Sequence, residues 1–129
     1  MPSTRRRALA ATVTVATAAL AGCLDRMPHD GEIATEPASE TDATAADASL
    51  VHYADLSAEE RDVVATAISD GVYHACSDLD TLSSLAGRLT PRTYLERDGD
   101  YYGLWVRVTD TVAADTADPP DEEFDCGWP

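Results

Sequence analysis

Asp98-Gly99 separates Thr93-Tyr94-Leu95-Glu96-Arg97 from a long β-prone run, Asp100 to Thr109. Both central residues tolerate positive φ, which suits them to the two-residue turn whose twist matches that of a hairpin. Such a turn leaves one register: Arg97 opposite Asp100, Glu96 opposite Tyr101, Leu95 opposite Tyr102 and Tyr94 opposite Gly103. Strand alternation then places Leu95, Tyr102, Leu104, Val106 and Val108 on one face, and Tyr94, Tyr101, Trp105 and Arg107 on the other. The first set predicts a core face under helices. The second is either covered by a further layer, supplied by Leu50 to Tyr53 or by the tail, or is an exposed aromatic face available to a partner.

Two helices are expected upstream. Ser57-Ala58-Glu59-Glu60 has the form of a capping box, in which the Ser57 hydroxyl and the Glu60 carboxylate satisfy each other's backbone amides. The helix it opens buries Val64, Ala67 and Ile68 and stops at Gly71, which accepts a left-handed backbone. A second helix from Leu79 to Leu89, capped by Ser77 or Asp78, places Leu82, Leu85, Ala86 and Leu89 on one face before Pro91 forbids continuation. Leu50-Val51-His52-Tyr53 reads as a short edge strand. The expected fold is therefore a small α+β domain over residues 50–112, with two helices packed on an antiparallel hairpin or three-stranded sheet. About sixty residues make a meagre core, so the domain calls for a staple. Of the three cysteines, Cys76 and Cys126 form the pair expected to bond, tying down an acidic tail over residues 113–129 and docking Phe124 and Trp128.

The third cysteine has a different role. Arg5, Arg6 and Arg7, an apolar run from Ala8 to Leu20, and Leu20-Ala21-Gly22-Cys23 follow the charged, apolar, small-residue order of an export signal. The run is too short to span a bilayer. Residues 1–22 thus read as a signal peptide closed by a lipobox, with Cys23 as the lipid-accepting new N-terminus. Thr4-Arg5-Arg6-Arg7-Ala8-Leu9 resembles the twin-arginine signal, with Ala8 where Phe is usual. Residues 23–49, poor in large apolar side chains, read as a disordered acidic linker whose r.m.s. reach as a coil is roughly 25 to 30 Å.

All 24 acidic residues follow Cys23, and six arginines against them leave the mature chain at −18. Lys, Asn and Gln are absent, so N-glycosylation has no acceptor. Such a charge repels itself in dilute salt, whereas at molar salt the Debye length falls to about 3 Å. This composition resembles that of extreme halophiles, and with the signal it identifies the chain as similar to haloarchaeal twin-arginine lipoproteins. The block Tyr94-Leu95-Glu96-Arg97-Asp98-Gly99-Asp100-Tyr101-Tyr102-Gly103-Leu104-Trp105-Val106 likewise resembles a segment of small haloarchaeal domains without an assigned activity, a resemblance that implies no catalytic residue.

The same charge excludes nucleic acid as a partner, because no basic stripe is present to neutralise phosphates. Membrane attachment is expected through the lipid on Cys23, on the extracellular face of the cell membrane. His52, His74 and Cys76 are candidate metal ligands, but they lack Cys-x-x-Cys or His-Glu-x-x-His spacing, so no metal and no cofactor is expected. No nucleophile elbow or phosphate loop appears, and no enzyme is expected. The leading expectation is a non-catalytic interaction or accessory module that meets a surface protein through Tyr94, Tyr101, Trp105 and Arg107. A solute- or metal-binding lipoprotein is the alternative, followed by a small hydrolase or redox enzyme.

Overall fold

The computed structural model describes residues 30–121 and Cys126. The readings placed on residues 1–29, including the signal peptide and the lipobox Cys23, and the docking of Phe124 and Trp128 lie outside these residues. In chain order the elements are β1 (Gly31–Ala38), α1 (Glu40–Ala43), β2 (Ser49–His52), a 3-10 turn (Tyr53–Asp55), α2 (Ala58–Asp70), β3 (Val72–Ala75), α3 (Asp80–Ala86), β4 (Thr93–Arg97), β5 (Asp100–Val108) and β6 (Thr111–Asp115). The fold is α+β, with the strands in one mixed sheet of order β2-β4-β5-β1-β3 and β6 paired to β5. β2 and β4 are parallel and the other pairings antiparallel.

β5 organises the sheet. One of its edges carries β1 along nearly its whole length, while the other is shared by β4 over its first half and β6 over its second. Thr116 closes the gap between those two: its hydroxyl accepts from the Leu104 amide at 2.8 Å, and its own amide donates to the Leu104 carbonyl at 2.7 Å. The β4–β5 hairpin adopts the expected register, with Asp98 and Gly99 at φ 52° and 88°. Its core side follows the expected alternation, with Leu95, Leu104 and Val106 buried and Tyr102 and Val108 packed against them.

The helices cover that face. The capping box forms as read: Glu60 accepts from the Ser57 amide at 2.8 Å and Ser57 from the Glu60 amide at 3.1 Å. α2 buries Val64 and Ala67 and ends at Gly71, φ 88°. α3 buries Leu82 and Leu85 but is shorter than expected: it starts after Leu79 with no side-chain cap and stops at Ala86. Asp78 takes a left-handed backbone, φ 56°, so neither it nor Ser77 caps the helix.

Three boundaries differ from the sequence expectation. Among the described residues the sheet has six strands rather than two or three. Residues 30–49, read as part of a disordered linker, contain β1 and α1. β1 lacks the usual apolar alternation because its core face is packed too tightly for large side chains. A Cβ at Gly31 would lie 2.6 Å from Leu82 Cδ1 and 3.0 Å from the Arg107 carbonyl, and Thr35 donates to the Ala67 carbonyl of α2. Ile33, fully buried between Tyr73 and Val106, is the one large apolar residue the strand needs. Pro37 is tolerated because β3 pairs only as far as Ala34, so no ladder bond is lost on that side. Finally, β6 falls across the expected boundary between domain and tail; its Ala114 is fully buried, a small residue that carries little signal in a sequence.

Candidate functional site

The reverse face of the sheet divides into two halves. Around Gly103, Ala34, Ala43, Tyr94 and Ala117 are buried but separate from the main core. α1 lies against β4 and β5, and the Thr116 carbonyl would stand 2.2 Å from a Cβ at Gly103. Tyr94 is only 8% exposed. Of the four residues expected to form one interaction face, Tyr94 is covered, while Tyr101, Trp105 and Arg107 are half-buried. The covering layer comes from α1 and from the start of the tail, while Leu50 is the parallel neighbour of Tyr94 in β2.

The other half holds a polar cluster. Glu32 on β1 lies directly between His74 on β3 and Arg107 on β5 in the sheet register, with Trp105 one diagonal away. Its carboxylate receives His74 Nε2 at 3.0 Å, Trp105 Nε1 at 2.9 Å and Arg107 Nε at 3.3 Å. Arg107 also clasps Asp30 with both terminal nitrogens, at 3.3 and 3.0 Å, and donates to the Thr109 carbonyl. Asp30 and Glu32 are each only 9% exposed. Burial raises the Glu32 carboxyl pKa, but Trp105, Arg107 and His74 outweigh it and hold the carboxyl below its ordinary range. Burial likewise acts to lower the Arg107 pKa, and Asp30 and Glu32 reverse it, leaving the guanidinium more firmly charged than usual. These groups satisfy one another, as buried charges must.

Of this cluster, the hairpin register points to Arg107 and Trp105 and the residue type to His74, while Glu32 and Asp30 carry no such signal. The acids sit in a segment whose role as a strand was not legible. The three candidate metal ligands do not converge. His52 bonds Glu96 at 2.9 Å on β2, at the opposite edge of the sheet from His74. Cys76 is bonded to Cys126, with Cα atoms 5.4 Å apart, as expected from the cysteine count. Among the described residues, no group of three or more His, Cys, Asp or Glu is arranged to hold a metal ion.

A second buried carboxylate lies between the helices. Glu60, beyond its capping role, accepts from Ser84 at 2.7 Å and from Arg88 Nε at 3.0 and 3.1 Å. A shallow groove of about 190 Å³ opens beside it, lined by Ser57, Glu59, Asp80, Thr81 and Ser84. The Glu60 carboxylate is held by the Ser57 amide at the start of α2, by Ser84 in α3 and by Arg88 just beyond α3, so the groove is a seam between α2 and α3.

A model of a family of unknown function, DUF7979, matches residues 30–105. The match opens at Asp30, just before β1, and runs to Trp105 in β5. No curated protein matches the chain, and no solved structure does.

Proposed function

The chain belongs to the DUF7979 family, a family of unknown function. We propose that it is a lipid-anchored accessory module on the outer face of the cell membrane, acting by interaction rather than catalysis. The observation that carries this reading is the pairing of Cys76 with Cys126. Disulfides persist in oxidising compartments, and this pairing leaves Cys23, the residue placed to accept a lipid, as the one further cysteine in the sequence. The −18 mature charge, the absence of lysine and the twin-arginine-like start support a halophilic, exported origin. Glu32, Arg107, Asp30 and Glu60 pair with one another or with Arg88 as ion pairs that tie strands and helices together.

Membrane fractionation of cells expressing the chain or its Cys23→Ser variant tests the anchor. The native chain is expected to sediment with membranes and the variant to be recovered soluble with an unchanged far-ultraviolet circular dichroism spectrum. A folded variant that remains on membranes contradicts the reading.

A further inference from the structure

Resting on Cys23 as the anchor, we infer that the domain stands close against the membrane in one orientation, with the Thr109-Asp110 turn and the Cys76–Cys126 bond toward the lipid and the Asp98-Gly99 turn outward. Asp30 is already a fixed point of the fold, well before residue 50, which leaves only six residues between it and Cys23. Whatever conformation they take, the seven residue steps from Cys23 to Asp30 reach at most about 24 Å. Asp30 is a firm end to that tether. Its carboxylate is clasped by Arg107, and its carbonyl accepts from the Thr109 amide at 2.8 Å.

The sheet register fixes what shares that end. Gly31 stands opposite both Ala75 and Val108, so the entry to β1 lies beside the exit of β3, with Cys76 next in the chain, and beside the β5–β6 turn. At the far end, Ala38 stands opposite Tyr101, and the paired His52 and Glu96 flank the hairpin turn. There Arg97 lies 4.5 Å from the Tyr53 ring centroid. About 25 Å of β5 separates the two ends. The exposed Asp78, Asp80 and Asp110 belong to the near end, so the bilayer does not draw it in by charge; the short tether holds it there against repulsion from anionic headgroups.

The test uses the lipid-bearing full chain, purified from membranes and reconstituted at molar salt in phosphatidylcholine vesicles that carry a headgroup-attached acceptor dye. With Cys76 and Cys126 bonded and Cys23 lipid-modified, a single introduced cysteine is the reactive thiol. Donor-labelled Asp110→Cys is expected to transfer at least about twofold more efficiently than donor-labelled Asp100→Cys, given the roughly 25 Å between the sites. A flexible spacer of about 20 residues inserted before Asp30 is expected to abolish that difference. Equal or reversed efficiencies on a lipid-bearing chain overturn the orientation while leaving the anchor in place. A difference that survives the spacer shows that the tether is not its cause. An intact mass showing unmodified Cys23 overturns both the anchor and the orientation.

Discussion

Replacing Cys76 and Cys126 together by serine is expected to lower the unfolding free energy by about 4 kcal/mol, the chain-entropy value for a bond spanning 50 residues. The effect is large because of what the bond joins. Cys76 directly follows β3, an edge strand of four residues. Cys126 lies beyond the segment that leaves β6, supplies Thr116 to β4 and β5, and places the Asp118 amide 3.2 Å from Glu36 on β1. The bond thus ties the end of the chain back across the sheet to its far edge. For a domain of this size the loss is a large part of the total stability. Urea denaturation of the oxidised chain and the double-serine variant, both at molar salt, measures it. Coincident midpoints would show that the bond adds nothing to the fold.

Glu60→Gln is expected to cost about 2 to 3 kcal/mol near neutral pH and to flatten the acid limb of the stability curve. The glutamine keeps an oxygen for the Ser57 amide and so preserves the cap, but it loses the charge facing Arg88. Burial alone raises the Glu60 pKa; Arg88, the Ser57 amide and Ser84 more than reverse it and bring the carboxyl from an ordinary 4.5 to about 2. A carboxyl whose folded pKa is depressed contributes stability above its unfolded value, and that contribution is lost as pH falls toward the folded value. The native chain should therefore lose this share between about pH 4.5 and about pH 2, a gap worth at most about 3 kcal/mol. Glu60 is 1% exposed but Arg88 is 42% exposed, so solvent screening reduces the figure. Chemical denaturation at a series of pH values reads both effects. A variant with the native acid limb would show that the Glu60 charge does not carry it.

How far the sequence reaches into this fold depends on how local each determinant is. The Asp98-Gly99 register, the Ser57–Glu60 box and the Gly71 stop each involve residues within a few positions of one another, and each forms as read. The Cys76 and Cys126 pairing was legible by counting. β1 was hidden because Gly31 and Thr35 do by close approach what large apolar residues do elsewhere, so only Ile33 spoke for a strand. With β1 hidden, its neighbours could not be assigned. Glu32 meets His74 across 42 positions and Arg107 across 75, contacts that exist only once the sheet order is known. The covering of Tyr94 failed to show for the same reason, since α1 follows directly from β1.

The early start of the fold also alters the functional reading. A linker running to residue 49 would let the domain sample any orientation, whereas Asp30 as a fixed point puts the proposed anchor at Cys23 only six residues from the sheet. The aromatic residues of the hairpin then belong largely to the architecture: Tyr94 sits in the reverse-face layer and Trp105 donates to Glu32. The account therefore stands on Cys23. Intact-mass and peptide analysis of the mature protein extracted from membranes tests it most directly. The expected result is an N-terminus at Cys23 carrying a thioether-linked lipid, together with a disulfide between Cys76 and Cys126. An N-terminus upstream of Cys23, or an unmodified thiol at that residue, would contradict it.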